Sequence, residues 1–474
     1  MGQRPFRTLA IASSCLFVAA LAQAADLPVL DFSSDPQWEG RNNVPGPDVG
    51  RDVTQDFGWS ATDFCGKGKG EIGGQLFRSL TPSYYAMPIA QKTLGDHLSV
   101  SGTFAVTHSE GGSGILIGWF NSASRGWRTP NSLAMRIDGE SGKFRIFFEY
   151  GTRHWMTGSG QTFEGIYQTT KTPMFVADGT RHSFTLTYDP AGANGQGEMV
   201  LVLDGKTYRA PLDPGHKEDG AVFDGFGVFN QQITGDALSV YFDDLEIDGG
   251  LESFNTEPQW EGKNNRTAFR DIAIRPYHNF GYRPTTMAGG APGEIGGLVW
   301  RIESTLPEQS AYYAAPTERL SLDVPLHASG KVSMTAASAD SAVLIGWFNK
   351  ETFIGAPPAH FLGVLIEGPS RIGHYFRPAF CSSDGIRAVL QEGPVIQPDS
   401  VSHEWTIEYD PAAKDGAGAI VVTLDDQKVA LDLTPEARKG NAAFNRFGML
   451  TWNRGGHFVE VYLDDLAFTS ELKP

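Results

Sequence analysis

The chain carries the same series of short motifs twice, and this duplication restricts its possible folds more than any other feature. Pro-Gln-Trp-Glu-Gly occupies residues 36–40 and 258–262, Gly-Glu-Ile-Gly-Gly occupies residues 70–74 and 293–297, and Ile-Gly-Trp-Phe-Asn occupies residues 117–121 and 345–349. A repeat this long is a duplicated domain rather than one turn of a solenoid or one propeller blade. We therefore expect two tandem domains, residues 25–249 and 250–474, after a leader at residues 1–24.

Each copy has the local pattern of β-strands. Polar and apolar residues alternate over residues 182–188 and 403–409, as expected for strands with one face in water. Asp204-Gly205 lies between two further alternating runs and is a residue pair typical of a tight hairpin turn. Helical spacing is confined to short turns near residues 214–218 and 435–439. With 56 glycines and 28 prolines, the sequence predicts an all-β protein built from antiparallel sandwiches.

The order of these motifs points to a known fold. In the first copy, Tyr-Asp-Pro at residues 188–190 is followed by Leu-Asp-Gly at 203–205, Phe-Gly-Val-Phe-Asn at 226–230 and Tyr-Phe-Asp-Asp-Leu at 241–245. This order resembles the concanavalin A-like lectin/glucanase jelly roll, which includes laminin-G-like domains. The resemblance implies two tandem jelly-roll sandwiches. Lectins, glycoside hydrolases and polysaccharide lyases share this fold, so it does not determine the activity.

The first residues predict export. Arg4 and Arg7 precede an apolar run, and Ala22-Gln23-Ala24 forms a small-residue site, which together are the pattern of a secretory signal peptide cleaved near Ala24. We expect a periplasmic or extracellular protein. No later stretch approaches the roughly 20 apolar residues of a membrane-spanning helix, so no membrane span is expected. A formal net charge of −17 repels phosphate backbones and argues against nucleic acid as a partner.

Two cysteines remain once the leader is removed, and two interpretations stay open for them. Cys65 and Cys381 lie in different halves at positions that do not correspond. In an oxidising compartment they can form one disulfide between the halves, or each can stay a free thiol. The sequence does not determine the oligomeric state.

A carboxylate framed by glycines is the first candidate site. Glu71 is followed by Arg78 and the pair Tyr84-Tyr85, and Glu294 is followed in the same way by Arg301 and a tyrosine pair that begins at Tyr312. These side chains can contact sugar hydroxyls; alternatively, the glutamate pairs with the arginine and supports a bend in a strand. Trp119 and Trp347 lie within apolar runs and are expected in the core, whereas Trp127 and Trp155 have polar, loop-like surroundings. The candidate substrate-binding residues are Glu71, Arg78, Tyr84, Trp127, Trp155, Glu294, Arg301 and Tyr312.

A second cluster suggests eliminative chemistry. Glu149, Tyr150, Arg153 and His154 combine a tyrosine and a histidine with an arginine, the side chains that a polysaccharide lyase uses to move a proton beside a neutralised carboxylate. The candidate catalytic residues are Glu71, Arg78, Tyr85, Tyr150 and His154.

Two aspartate pairs suggest an ion. Neighbouring side chains on a strand point to opposite faces, so only one residue of Asp243-Asp244 and one of Asp464-Asp465 can be buried. A buried carboxylate needs a cation or several backbone donors. Asp243 and Asp464 are therefore candidate ligands of a structural calcium ion.

Together these features favour a secreted protein that binds a polysaccharide or another glycan through two lectin-like sandwiches. The alternative is a carbohydrate-active enzyme. A polysaccharide lyase is the better candidate for such an enzyme, because the paired-carboxylate signature Glu-x-Asp-x-x-Glu of laminarinase-like hydrolases is absent from the sequence.

Overall fold

The structure is a computed structural model that describes residues 27–46, 49–66, 68–158, 173–303, 305–338, 340–355, 358–368, 373–385 and 387–471. Strands account for most of these residues, and the pairings between them are antiparallel. The prediction of an all-β protein made of antiparallel sandwiches is confirmed. The helix at Pro435–Lys439 lies where the sequence predicts a short helical turn.

The elements follow each other along the chain as two similar series. The strands up to residue 247 are β1 (Glu39–Arg41), β2 (Gly50–Ser60), β3 (Glu71–Phe77), β4 (Tyr84–Thr93), β5 (Leu98–Ser109), β6 (Gly114–Phe120), β7 (Ser132–Gly139), β8 (Lys143–Gly151), β9 (Thr157–Gly158), β10 (Met174–Val176), β11 (Arg181–Asp189), β12 (Glu198–Leu203), β13 (Lys206–Pro211), β14 (Val222–Asn230) and β15 (Ala237–Ile247). The later strands are β16 (Gly250–Glu252), β17 (Glu261–Lys263), β18 (Arg266–Ile272), β19 (Asn279–Arg283), β20 (Glu294–Trp300), β21 (Tyr312–Ser321), β22 (Leu326–Ala337), β23 (Ser341–Phe348), β24 (Phe361–Gly368), β25 (His374–Cys381), β26 (Arg387–Val389), β27 (Val395–Ile396), β28 (Ser402–Asp410), β29 (Ala419–Leu424), β30 (Gln427–Asp432), β31 (Ala443–Thr451) and β32 (Phe458–Phe468). The short helices are α1 (His216–Asp219), α2 (Ala413–Gly416) and α3 (Pro435–Lys439), with 3₁₀ turns at Ala193–Gly195 and Pro307–Gln309.

The first sandwich packs a front sheet of order β10-β8-β7-β6-β14-β4-β17 against a back sheet of order β13-β12-β11-β5-β15-β3-β2-β18. Strand β6 shows how the sequence builds it. Ile115, Ile117 and Trp119 are fully buried between the sheets, whereas Leu116 and Phe120 belong to a separate apolar cluster on the other face. Both faces of this front sheet are therefore covered, which explains the continuous apolar run in β6.

The second sandwich repeats this arrangement. Its front sheet has the order β1-β21-β31-β23-β24-β25-β26, and its back sheet has the order β19-β20-β32-β22-β28-β29-β30. Trp347, the counterpart of Trp119, is fully buried in the core of this sandwich. The expectation that both tryptophans are core residues is confirmed.

The two sandwiches are joined by segments that cross between the copies. Strand β1, near the start of the chain, pairs with β21 in the second sandwich, and β17, after the first copy, pairs with β4 in the first sandwich. Phe32 is buried in the second core and Phe254 in the first. Residues 27–46 therefore complete the second sandwich, and residues 250–272 complete the first. The domain limits at residues 249 and 250 remain a prediction. The strand pairings cross this boundary in both directions.

Cys65 and Cys381 are both free and buried. The structure therefore agrees with two free thiols rather than with a disulfide between the halves. No helix within the described ranges is long and apolar enough to cross a membrane.

Candidate functional site

The two glycine-framed glutamates support the fold from inside. The Glu71 carboxylate has no exposed surface and accepts hydrogen bonds from the backbone N–H groups of Phe64 and Cys65, at 3.0 to 3.1 Å. Glu294 accepts from the backbone N–H groups of Met287 and Ala288 in the same way. Each carboxylate thus holds the loop that precedes its strand, and the pairing of Glu71 with Arg78 suggested by the sequence is not formed.

The glycines around Glu71 are required because other backbone segments of the protein approach them closely. Gly73 has a φ of +134°, and a Cβ atom there would lie 2.0 Å from the carbonyl oxygen of Val240. A Cβ atom at Gly70 would lie 1.9 Å from the carbonyl oxygen of Phe254, on the segment that crosses from the second copy. The glycine frame therefore serves strand packing and segment crossing.

Arg78 and Arg301 take equivalent positions near the junction of the two sandwiches. Arg78 Nη2 lies 2.7 Å from Asp138 Oδ1, and Arg301 Nη1 lies 3.6 Å from Glu367 Oε1. Both side chains are largely buried, and neither Nε has a hydrogen-bond partner among the described residues. Each arginine is thus near a carboxylate of its own sandwich.

The tyrosine pairs hold the crossing strands. The Tyr312 hydroxyl donates to Glu39 of β1 at 2.7 Å, and burial together with that carboxylate raises the pKa of Tyr312 to about 12. Tyr84 packs on Phe120, whereas Tyr85 is buried in the first core against Trp260 of the other crossing segment.

The tyrosine and the histidine of the lyase-like cluster have different hydrogen-bond partners. The Tyr150 hydroxyl accepts from the Asp213 backbone N–H at 2.9 Å and lies 2.9 Å from Nδ1 of His216. His154 Nδ1 lies 2.7 Å from Asp219. Because Tyr150 is a core residue, its hydroxyl faces the interior. The five candidate catalytic residues have separate partners and do not form one described site.

The two buried aspartates do not form a calcium site with their neighbours. Asp243 Oδ1 and Asp464 Oδ1 each accept the backbone N–H of the next residue at 2.7 Å. The nearby Glu71 and Glu294 carboxylates are already used by backbone donors, and no group of three metal-binding side chains is found in the described parts of the chain. Calcium takes six to eight oxygen ligands, so this donor set does not fit it. Burial instead raises the pKa of both aspartates to about 6.

A cleft between the sandwiches brings together residues that are far apart in the sequence. It has a volume of about 620 Å³. The first sandwich contributes the β6–β7 loop at residues 121–131 and the turn after β8 at residues 152–156, and the second contributes the outer face of its back sheet. Arg125, Arg153, Trp155, Trp300, Phe458 and Glu460 are among the lining residues.

The β6–β7 loop forms hydrogen bonds to both sandwiches. Within the first sandwich the Gly126 backbone N–H donates to Gln232 Oε1 at 2.7 Å, and Trp127 Nε1 donates to Nε2 of His457 in the second sandwich at 3.2 Å. The Ser338 hydroxyl donates to the Trp127 carbonyl oxygen at 3.3 Å. Trp127, predicted from the sequence to contact a ligand, is thus a buried residue of the interface between the sandwiches.

Trp155, the other tryptophan predicted to contact a ligand, lines the cleft. It is half-buried, and its indole packs so close to Gly126 that a Cβ atom there would lie 3.3 Å from Trp155 Nε1. Trp300, on the opposite side of the cleft, is buried and lies beneath the Arg275 guanidinium, 5.3 Å from its ring centroid. The two aromatic side chains come from different sandwiches.

Several arginines lie near the histidines of the junction. Burial holds the pKa of the His457 imidazole well below its usual range, and three nearby arginines lower this pKa further: Arg275, Arg128 and Arg301. Burial and Arg301 similarly lower the pKa of His374 to about 3. Both histidines are therefore neutral at pH 7, and the arginines carry the positive charge of this region.

The sequence motifs do not predict the contribution of the second sandwich to this cleft. Its signal is present in β20, where Val299 enters the core while Leu298 and Trp300 point to the other face. A strand with large apolar residues on both faces indicates that both faces are covered. The covering partner is not evident from β20 itself.

Comparisons with known proteins give distant similarity only. No protein family and no curated protein match this sequence. Among solved structures, the chain is similar to mouse laminin alpha1 chain domains LG4-5, with 11% identity, a TM-score of 0.25, and coverage of 85% of this chain and 96% of that one. The Emp47p carbohydrate recognition domain has 12% identity, a TM-score of 0.27 and coverage of 40% and 89%. Alginate lyase AlyC3 has 11% identity, a TM-score of 0.24 and coverage of 37% and 74%. With TM-scores this low, the fold assignment rests on the strand pairing described above.

Proposed function

We propose that the protein binds a polysaccharide in the cleft between its two sandwiches. The observation that carries this proposal is the half-buried Trp155 beside the exposed Arg125 and Arg153 in the lining of a cavity of about 620 Å³. Aromatic rings pack on the apolar faces of sugar rings, and neighbouring polar groups bind the hydroxyls, as in other concave ligand sites with a few convergent polar groups.

Binding without bond cleavage agrees best with the positions of the other candidates. A lyase needs a base, an acid and a cation close to the same sugar. Here Tyr150 is directed into the core, His154 pairs with Asp219, and Glu71 is enclosed by backbone donors. These contacts support a binding protein rather than an enzyme.

The place of action is part of the same proposal. The leader predicted at residues 1–24 lies outside the described residues, and its pattern is the basis for expecting export to the periplasm or the medium. Polysaccharides are abundant there, which agrees with a binding role.

Purified protein tests the proposal in an affinity gel and by calorimetry against a panel of acidic and neutral polysaccharides. We expect binding to at least one polymer, and Trp155→Ala should weaken it by about 2 kcal/mol, roughly 30-fold, as for a central aromatic contact. Phe64→Ala is the control, because Phe64 is another exposed aromatic outside the cleft lining, at 43% exposure.

Two results would overturn the proposal. One is unchanged affinity in Trp155→Ala while the variant melts normally, and the other is a lack of binding to every polymer. Release of unsaturated products or new reducing ends during incubation would show that the protein is an enzyme instead.

A further inference from the structure

The unused hydrogen-bonding groups of the cleft are mainly donors. The indole N–H groups of Trp155 and Trp300 are both buried and have no partner among the described residues. Trp300 is nine-tenths buried or more, at 2% exposure, so its unpaired donor has been removed from water. A buried donor without a partner costs about 1 to 3 kcal/mol. A ligand rich in acceptor oxygens would remove this cost.

Positively charged side chains also outnumber negatively charged ones in the cleft lining. Arg125 and Arg153 are exposed, line the cleft, and form no ion pair with any described residue. Glu460 is the carboxylate among the lining residues, and it already accepts a hydrogen bond from the Tyr462 hydroxyl at 2.7 Å. In a chain with a formal net charge of −17, unpaired arginines gathered at one cavity are a local exception.

The surroundings strengthen this field. Arg275 lies over Trp300 and donates to the Gly456 carbonyl oxygen at 2.8 Å rather than to a carboxylate. Burial is the main reason that His457 is neutral, and the three arginines beside it act in the same direction. An anion is therefore attracted to the cleft by several fixed charges, although the molecule as a whole repels it.

We infer that the ligand of the cleft is an anionic polysaccharide, whose carboxylate or sulfate groups bind Arg125 and Arg153 while its sugar rings pack against Trp155. This inference rests on the proposed function and specifies the class of ligand. A planar guanidinium can bind two oxygens of one carboxylate or sulfate group. The backbone fixes the base of one of these arginines, because Arg153 N–H donates to the Gly220 carbonyl oxygen at 2.8 Å.

Matched polymers that differ only in charge test the inference. Polygalacturonate is compared with its methyl ester, and dextran sulfate with dextran, using calorimetry and the melting temperature of the full protein. We expect binding and a raised melting temperature with a charged polymer of at least one pair, little or no effect of its neutral partner, and weaker binding as salt is added. The pair that responds identifies carboxylate or sulfate as the preferred group.

Charge variants complete the test. Arg125→Gln combined with Arg153→Gln should weaken binding of the responding polymer by about tenfold or more. Arg209→Gln, which removes one positive charge from the edge strand β13 outside the cleft lining, should change the affinity less than about twofold.

The outcomes separate this inference from the proposed function. Equal binding of charged and neutral polymers, sensitive to Trp155→Ala, overturns the anionic ligand and leaves polysaccharide binding in place. Equal losses in the double variant and in Arg209→Gln also overturn it, because attraction would then be unspecific. A lack of binding to all four polymers and to the wider panel overturns both.

Discussion

Asp243 and Asp464 show how the duplication preserves a pair of costly residues. Each is 3% exposed, and each has one oxygen bonded to the next backbone N–H while the other faces a glycine, Gly66 or Gly289. A Cβ atom on either glycine would lie within 1.6 Å of that oxygen. The charged form lacks the donors that a buried carboxylate needs, and burial accordingly raises the pKa of both.

This pKa shift predicts a pH dependence of stability. The pKa of Asp243 rises from 3.8 to about 6 on folding, so its stabilising contribution is complete below about pH 3.8 and is lost as the pH rises through 6. Asp243→Asn keeps an oxygen for the Asp244 N–H and removes the charge. We expect the variant to be more stable than the wild type at pH 7.5, by on the order of 2 kcal/mol, and the difference to shrink at pH 4.5.

Urea unfolding of both proteins at the two pH values measures this difference. Asp244→Asn is the control, since it makes the same change at the less buried neighbouring position of the same strand. If the free energy of unfolding of the wild type instead rises relative to that of Asp243→Asn as the pH increases, the buried carboxylate is stabilised in its charged form.

Strands β1 and β17 are copies of each other that have acquired different contacts. In β1, Glu39 accepts from Tyr312 and pairs with Arg446, whose Nε lies 2.9 Å away. The hydrogen bond from Tyr312, followed by the charges of Arg446 and Lys350, lowers the pKa of Glu39. The corresponding Glu261 of β17 is exposed and forms no ion pair with any described residue. Strand β1 is therefore held by the hydrogen bond and ion pair of Glu39 in addition to backbone pairing, whereas β17 is held by backbone pairing and the packing of Trp260.

The repeat supplies a matched pair of variants for this difference. Glu39→Ala removes a partner from both Tyr312 and Arg446, and we expect a loss of about 1 kcal/mol after allowing for solvent screening of this half-exposed group. Glu261→Ala, the same change at the equivalent position, should cost less than about 0.5 kcal/mol. Chemical denaturation of the two variants side by side measures the contrast, and equal losses would contradict it.

In the complete molecule, the beginning of the chain closes the sandwich at its end. Leu30 bridges to Leu466, Phe32 is buried in the second core, and Asn43 donates to the Phe280 carbonyl oxygen at 2.7 Å. The second sandwich is thus incomplete until residues 27–46 return to it. Such contacts between distant residues carry a large entropic cost of closure and make folding slow.

Removing residues 27–46 should therefore weaken the second sandwich more than the first. The deletion exposes the site of Phe32 and leaves the edge of β21 unpaired, so we expect amide hydrogen exchange to increase in β21 and β31 while β11 and β12 keep most of their protection. A synthetic peptide of residues 27–46 should restore the protection, and the same peptide with Trp38→Ala should restore less. Unchanged exchange in β21 would show that this segment does not contribute to stability.

Local patterns in the sequence were sufficient for the fold class and for part of the core. The motif repeat identifies a duplication, and the polar and apolar alternation of residues 182–188 identifies strands, because a side-chain period of two is fixed by strand geometry. The apolar runs around Trp119 and Trp347 predict that both are core residues, and both are buried. These signals are local, so they survive without knowledge of the rest of the chain.

The position of Glu71, the crossing of the strands and the cleft depended on contacts between residues far apart in the chain. The two copies of Pro-Gln-Trp-Glu-Gly are identical, so neither can show which sandwich it completes; only the packed structure places Trp38 against one core and Trp260 against the other. The cleft likewise requires Trp155 and Trp300 to meet across an interface. A linear sequence specifies which faces need cover, whereas the partner that covers each face is selected by the packing of the whole chain.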